Sequence, residues 1–169
     1  HAIVAALITL SFPSLGQQKI SLTQEQTLPI EISADTLEVE QEKKLATFSG
    51  NVMVKQGNIR LRAETIQVRY RPKGGEAAIQ RGISHIDATG KVFFSSPGQT
   101  AQGDSGVYEV DKSLIIIRGN VVLTREKNVI RGDRLVLNLV TGKSKVEGSA
   151  GVNGGRVRGV FVPNRKVKK

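Results

Sequence analysis

The chain has 169 residues, no cysteine, no tryptophan and a formal net charge of +10. This length fits one domain of ordinary size and leaves no room for a second. The absence of cysteine excludes disulfides and thiolate metal sites. Because Val, Ile and Leu carry most of the hydrophobicity, and branched side chains fit a pleated surface better than a helix, the composition favours an all-β fold.

The first residues are predicted to be part of a secretory signal peptide. An uncharged apolar run over residues 2–12 is followed by Ser14 and Gly16, which suit the −3 and −1 positions of a cleavage site. The run is shorter than the roughly 20 apolar residues that a membrane-spanning helix needs. We therefore expect residues 1–16 to be removed and the mature chain, from Gln17 onward, to work outside the cytoplasm. A membrane anchor or a buried element of the fold is the alternative.

Most of the remaining chain is a fourfold repeat of 29 residues. Each copy contains an acidic residue directly after a small residue. A glycine follows after a regular interval, and a strand-like run begins at that glycine. The acids are Asp35, Glu64, Asp104 and Asp133, and the glycines are Gly50, Gly90, Gly119 and Gly148. A unit this short cannot bury its own apolar face, so neighbouring copies are expected to stack around one core.

The second copy is longer than the others. The interval from Glu64 to Gly90 is 26 residues instead of 15, which indicates an 11-residue insertion at residues 71–81. The run of residues 76–80 within it is at most one helical turn. No long amphipathic helix is predicted anywhere in the chain.

Alternating apolar residues around each glycine predict strands with one face in a core. Apolar residues fall at the second and fourth positions after the glycine, which is the period of a half-buried strand. The same parity continues before the glycine, so each glycine is expected to point inward and to leave room there. Ten residues are predicted to line the apolar interior: Val52, Val54, Ile66, Val68, Val92, Phe94, Val121, Leu123, Leu135 and Leu137.

Each acidic residue is predicted to mark a corner in a long strand. The apolar parity switches at the small-acidic pair, as between Ala63 and Ile66, which implies the extra residue of a bulge. We expect the acid to accept hydrogen bonds from backbone N–H groups at the bend. A catalytic role is disfavoured, because each copy supplies one acid whereas acid/base chemistry needs two carboxylates together.

Tight-turn sequences between the alternating runs predict antiparallel hairpins. They are QGN at residues 56–58, SPG at 96–98, TGK at 141–143 and NGG at 153–155. The predicted fold class is therefore all-β, an antiparallel stack of hairpin repeats bent at their corners, with two sheets facing each other around an apolar interior. Such a stack is open at both ends.

The C-terminal segment is strongly basic. Six positive charges and no acid follow Ser149, and residues 164–169 form a basic tail. A solvated terminus is one interpretation. The other is attraction to an anionic partner such as a membrane surface, nucleic acid or a phosphorylated glycolipid.

Residues that would support catalysis or bind a cofactor are sparse. His1 and His85 are isolated, and we expect His85 to be solvated on the outer face of its strand. Without cysteine or clustered histidine, a metal site is not expected. No glycine loop precedes a helix, and no base is placed for a serine nucleophile. We therefore expect no metal, no cofactor and no enzymatic activity.

The repeated text resembles the OstA-like family of lipopolysaccharide-transport proteins. The resemblance is carried by ISADTLEVEQEKKLATFSGNVMVKQGNIRLRAETIQV at residues 32–68, which recurs as IDATGKVFF, IIIRGNVVL and IRGDRLVLNL. The closing GGRVRGVFVP at residues 154–163 also resembles the end of some members. The matching text covers most of a predicted domain at residues 17–163, and it departs from the family at the insertion.

The resemblance implies a β-jellyroll that carries lipopolysaccharide across the periplasm without catalysis. The acyl chains of the lipid A moiety would lie inside, against the ten interior residues, and the sugars would project outward. Implied partners are an inner-membrane-anchored LptC-like domain and the periplasmic part of an LptD-like outer-membrane protein, joined edge to edge, and further copies of the chain head to tail. The positive charges at Arg156 and Arg158 would favour the lipid phosphates.

Three alternatives stay open at this point. One is an LptC-like, membrane-anchored member of the same pathway, which would need a longer apolar helix. Another is a β-solenoid that binds or acts on polysaccharide, which would need clustered carboxylates on one outer face. A basic β-domain for nucleic acid would be expected to interleave aromatic and basic residues. The basic C-terminal segment after Ser149 offers only Phe161, so no nucleic-acid partner is expected.

Overall fold

The structure is a computed structural model that describes residues 28–71, 82–149 and 155–163. The predicted signal segment at 1–16, the basic tail at 164–169 and residues 72–81 of the insertion lie outside the described residues. Strands make up most of the described chain, so the predicted all-β class is confirmed. No helix within these ranges is long and apolar enough to cross a membrane.

The strands form one antiparallel sheet in which long neighbours along the chain pair with each other. Their bounds are β1 Glu31–Ser33, β2 Thr36–Glu40, β3 Leu45–Gln56, β4 Ile59–Tyr70, β5 Ile83–Ser96, β6 Gln99–Glu109, β7 Leu114–Arg125, β8 Asn128–Asn138, β9 Ser144–Glu147 and β10 Arg158–Val160. A single 3-10 turn, Val110–Lys112, joins β6 to β7. Both β1 and β2 pair with β3, and both β9 and β10 pair with β8. The two edges of the sheet are therefore each made of two short strands.

A line of bulges crosses the sheet and bends every long strand. Gly50 and Asn51 of β3 together oppose Glu64 of β4. In the same way, two residues of β5 oppose Asp104 of β6, and two residues of β7 oppose Asp133 of β8. An extra residue on one strand of a pair bends that strand and increases its twist. The predicted positions of the corners are thus confirmed, but the extra residue lies on the strand that carries the glycine and not at the acid.

The corner line divides the sheet into two halves that face each other. Half I contains residues 36–49, 65–70, 83–89, 105–118 and 134–147, and half II contains residues 28–33, 52–63, 92–103, 121–132 and 158–160. Buried apolar side chains of both halves form one cluster between them. Burying a branched aliphatic or Phe side chain contributes about 1.5–3 kcal/mol, so this cluster holds the two halves together.

The glycines at the corner do not face the interior, contrary to the expectation from parity. Gly50, Gly90 and Gly119 have φ of +81°, +81° and +77°. A Cβ on each would collide with the carboxylate of the acid on the preceding strand. The pairs are Gly50 with Asp35, Gly90 with Glu64 and Gly119 with Asp104. These acids are exposed, so the glycines make space for carboxylates at the corner and add none to the interior.

The hydrogen-bond partners of the corner acids also differ from the expectation. The residue after each glycine donates through its side chain. Asn51 Nδ2 lies 2.8 Å from Asp35 Oδ2, and Asn120 Nδ2 lies 2.9 Å from the carboxylate of Asp104. In the second copy the donor is a lysine, as described below. Each carboxylate thus holds its neighbouring strand by a side-chain contact where backbone N–H donors were predicted.

The fourth copy is completed differently from the others. The position of a Cβ on Gly148 is blocked by the carbonyl oxygen of Gly155 and not by a carboxylate. At this edge, β10 forms the strand that belongs to half II, and its Arg158 pairs with Arg131 of β8. The edge strand is therefore assembled from two segments on either side of the predicted NGG turn.

Candidate binding trough

The space between halves I and II, here called the trough, is lined by all ten residues predicted for the interior. Each of them is at most 6% exposed, and all belong to the same apolar cluster. Half I contributes Ile66, Val68, Leu135 and Leu137, and half II contributes Val52, Val54, Val92, Phe94, Val121 and Leu123. The alternating pattern therefore located the lining correctly.

Further residues line the trough that have the predicted inward parity but were not among the ten residues named for the interior. Half I adds Ile86, Ile115, Ile117 and Leu139, and half II adds Ile59 and Leu61. All follow the same alternation along their strands. The alternation therefore predicts the lining beyond the ten named residues.

The trough is closed as it stands. A cavity of about 20 Å³ lies between Val54, Leu61 and Phe94 of half II and Ile115 and Ile117 of half I. This is room for about one water molecule. The lining side chains of the two halves pack directly on each other.

At the mouth of the trough, opposite the corner line, half II turns polar side chains inward. We call this row the polar rim; it consists of Gln56, Ser96, Gln99 and Arg125. Ser96 pairs across strands with Gln99, and Gln99 pairs with Arg125. Gln56, Ser96 and Gln99 are buried, whereas Arg125 at the end of β7 is exposed. The sequence reasoning missed this row, although each member has the parity of its apolar neighbours.

Hydrogen bonds join the polar rim to half I. Arg125 Nη2 donates to Gln99 Oε1 at 2.9 Å and to Ser144 Oγ of β9 at 3.2 Å. The Tyr108 hydroxyl of β6 donates to Gln56 Oε1 at 3.4 Å, which is long for such a bond. Burial raises the pKa of the Tyr108 phenol, so it stays a neutral donor. The mouth is thus held shut at two places.

Charged side chains lie mainly on the outer faces. Lys91 Nζ lies 2.9 Å from Glu64 Oε1, and this hydrogen bond raises the pKa of the Lys91 ammonium. His85, predicted to be solvated, is half-buried, and its Nε2 lies 3.1 Å from Asp87 Oδ1. Across the described ranges, no group of three or more His, Cys, Asp or Glu side chains could hold a metal ion.

A larger groove of about 810 Å³ lies on the outer side of the corner. Its lining includes Arg62, Glu64, Lys91, Phe93 and Asp104. The Arg62 guanidinium lies 4.8 Å from the centre of the Phe93 ring, within cation–π distance. Charged groups of both signs line this groove, so it does not suit an alkyl chain, whereas the trough is apolar except at its rim.

The chain is similar to known proteins over most of its length. Residues 31–143 match the family described as LptA/(LptD N-terminal domain) LPS transport protein. An uncharacterised protein of Rhizobium meliloti (strain 1021) is 33% identical over 152 residues, which cover 89% of this chain and 81% of that protein. The lipopolysaccharide export system protein LptA of Escherichia coli (strain K12) is 28% identical, over 96% of this chain and 84% of that protein.

One solved structure shows the same fold. It is LptH of Pseudomonas aeruginosa, described as the LptA homologous periplasmic component of the lipopolysaccharide transport device. It superposes with a TM-score of 0.70 and 18% identity, over 82% of this chain and 99% of that one. This likeness confirms the predicted jellyroll. Since the matched family range spans β1 to β8 and thus most of the bent sheet, the chain belongs to the LptA/(LptD N-terminal domain) family of lipopolysaccharide transport proteins.

Proposed function

We propose that this protein is a non-enzymatic carrier of lipopolysaccharide in the periplasm, and that it holds the acyl chains of lipid A between the two halves of its sheet. The observation that carries the proposal is the continuous apolar lining of the trough, to which both halves contribute. The names of the relatives, an export system protein and a periplasmic transport component, support it. The protein would act as the domain at residues 17–163 after removal of residues 1–16.

The physical task of such a carrier is to keep alkyl chains out of water. At about 0.8 kcal/mol per methylene, one acyl chain of about twelve carbons loses on the order of 10 kcal/mol when it is exposed to water. A trough with apolar side chains on both walls covers a chain along its length. The ten lining residues predicted from the sequence supply those walls.

Loading requires the two halves to separate. The cavity of about 20 Å³ holds about one water molecule, far less than an acyl chain occupies. The corner line is the natural hinge, because its bulges interrupt the regular ladder in every long strand. Lining residues that lose their partners in the opposite half regain apolar contacts from the lipid. This exchange keeps the cost of opening small once the lipid is bound.

The two edges of the sheet support assembly with further domains of the same fold. Leu37 and Val39 of β2 are 56% and 46% exposed at one edge. Val160 and Phe161 are 66% and 67% exposed at the other. An unpaired edge accepts the strand of another domain through main-chain hydrogen bonds. We propose that LptC-like and LptD-like jellyroll domains, and further copies of this chain, join there to form a bridge between the two membranes.

Photocrosslinking from the trough tests the carrier function. A photoreactive phenylalanine analogue is introduced singly at Val54, Phe94 or Leu137, and the protein is irradiated with lipopolysaccharide. We expect adducts at these three positions, because their side chains face the trough. The measurement is the shifted band detected with an antibody against lipopolysaccharide.

The matched controls carry the same analogue on the outer face. Lys55 and Arg69 are exposed neighbours of lining residues on β3 and β4. We expect no adduct above background at either. Equal crosslinking at lining and outer positions, or none at the lining, would refute the proposed function.

A further inference from the structure

We propose that the polar rim is the subsite for the anionic headgroup of the bound lipid, and that Arg125 is the residue that binds a phosphate group. The inference rests on the proposed function, since it assigns the polar boundary of the same ligand. It concerns side chains that close the mouth of the trough in the structure described here.

The interior of half II changes from apolar to mainly polar in a single step. The row next to the corner contains Val52, Ala63, Val92 and Val121, and the next row contains Val54, Leu61, Phe94, Ala101 and Leu123. The following row contains the polar rim together with the buried apolar Ile59, which pairs with Gln56. Adjacent rows are two residues apart, which is about 6.6 Å along a strand. An amphiphile whose alkyl chains lie in the first two rows therefore has its polar boundary at the third.

Arg125 has the chemistry that a phosphate requires. Its planar guanidinium carries several donors that can bind phosphate oxygens in pairs. The partners it has now, Gln99 Oε1 and Ser144 Oγ, are neutral. No ion pair to Arg125 occurs within the described ranges, whereas Arg134 pairs with Glu147. A positive charge without a counter-charge therefore lies at the end of an apolar trough.

Ser96 provides an independent sign of a missing partner. In the described part of the chain, its Oγ is the buried side-chain polar atom that has no hydrogen-bond partner, and the residue is only 6% exposed. A buried hydroxyl without a hydrogen-bond partner is unfavourable, because its contact with water is lost and not replaced. Such groups are few in native proteins and each calls for an explanation. The ester and amide carbonyls that join acyl chains to a headgroup are acceptors at the depth of this row.

The contacts that now close the mouth are the ones that a lipid would replace. Opening the halves breaks the bond from Tyr108 to Gln56 and the bond from Arg125 to Ser144. The rim donors then become available together, next to the apolar rows. A phosphate offers Arg125 hydrogen bonds in which donor and acceptor are both charged, whereas its present acceptors are neutral.

Binding of two lipid probes to the purified mature protein tests the subsite. One probe is lipid A with both phosphates, and the other is the same lipid with the phosphates removed. We expect Arg125→Gln to weaken binding of the phosphorylated probe about tenfold and to leave binding of the other unchanged. Arg125→Lys is expected to retain part of the affinity, because it keeps the charge and loses the paired geometry.

Arg131→Gln is the matched control. It removes the same charge from the outer face of β8 in half II, where Arg131 is exposed. We expect no selective loss of the phosphorylated probe. An equal loss on both probes for Arg125→Gln, or the same selective loss for Arg131→Gln, would overturn the subsite. Wild-type protein that binds neither probe would instead refute the carrier function itself.

Discussion

Three corners of the sheet depend on a glycine that leaves space for one carboxylate. Gly90 has φ of +81°, and a Cβ there would collide with Glu64, which in turn bonds Lys91. A residue with a side chain would meet two penalties, one from the left-handed backbone and one from the displaced carboxylate. This explains the fixed interval between acid and glycine, because the two must meet on adjacent strands.

Comparing Gly90→Ala with Gly98→Ala separates the backbone penalty from the penalty of displacing the carboxylate. Gly98 has φ of +78° in a hairpin turn, and a Cβ there meets nothing within 4 Å. We expect Gly98→Ala to lower the free energy of unfolding by about 1 kcal/mol, from the backbone alone. Gly90→Ala is expected to lower it by about 2–4 kcal/mol, since the carboxylate must also move. Urea unfolding of both variants gives the values, and equal losses would contradict the role of the carboxylate.

The residues that line the trough were predictable from the sequence. The corner and the polar rim were predictable only in part. Alternation fixes which side of a strand a residue faces, so Val52 and Phe94 were placed correctly. The inward glycine was wrong, because parity counting assumes a regular strand and the positive φ of Gly50 interrupts it. The rim was missed because the alternation was followed only through apolar residues. Arg125 nonetheless keeps the parity of Leu123, and that parity is the signal that would have found it.

The short edge strand β9 is fixed to β8 by one carboxylate between two cations. Glu147 Oε2 lies 2.5 Å from Arg134 Nη1, and Glu147 Oε1 lies 2.7 Å from Lys145 Nζ. Arg134 and Glu147 are also direct cross-strand partners. The hydrogen bonds from Lys145 and Arg134 hold the pKa of the Glu147 carboxyl below its ordinary value. Opposite charges on facing residues stabilise a strand pair.

The stability of this edge is therefore expected to depend on pH. Because the folded-state pKa of Glu147 is lower than its unfolded value, its contribution is present above the unfolded pKa, about 4.3. That contribution is lost as the pH falls through the folded pKa. We expect Glu147→Gln to lower Tm at pH 7 and to have a shrinking effect as the pH falls towards 3. Thermal unfolding across this range measures the difference.

Glu126→Gln supplies the control for that experiment. Glu126 is an exposed residue of the turn between β7 and β8, so the substitution makes the same chemical change away from β9. We expect it to change Tm little at any pH. A Glu147→Gln effect that stays constant down to pH 3 would show that the loss comes from packing and not from the charge.

Strand pairing was easier to predict than the composition of the edges. The turn sequences at residues 56–58 and 96–98 lie where β3 meets β4 and β5 meets β6, as predicted. The edges could not be predicted from local pattern, because each is built from two segments. Three-residue strands such as β1 and β10 exist only by pairing with a long neighbour. That pairing is a long-range contact, and local alternation does not report it.

The same side chains form the core and the binding surface of the proposed carrier. An ordinary domain buries its apolar residues permanently, whereas here the two halves are joined covalently only along the corner line. Their other contacts are apolar packing and a few hydrogen bonds at the mouth. When the halves separate, the backbone hydrogen bonds between strands within each half therefore stay intact. These hydrogen bonds preserve the fold while the trough is open.

Open edges predict assembly of the protein into head-to-tail chains. Leu37 and Val39 lie on the interior face of β2, opposite Phe48 and Ala46 of β3, and both are exposed because the sheet ends there. A second copy docked at this edge would continue the trough and cover both side chains. Replacing both residues by Asp places two buried charges in that junction, which is strongly unfavourable. We expect the variant to need at least about tenfold higher concentration to associate than the wild-type protein.

Sedimentation velocity over a range of concentrations measures this association. Met53→Asp is the control, because Met53 is 39% exposed on the outer face of β3, where it pairs with Ser33 of β1 and not with β2, and its replacement adds a charge outside the proposed junction. We expect the control to associate like the wild-type protein and the β2 variant to remain monomeric with an unchanged Tm. The Tm should hold because both β2 side chains are already exposed in the monomer. Unchanged association of the β2 variant would show that copies do not join at this edge.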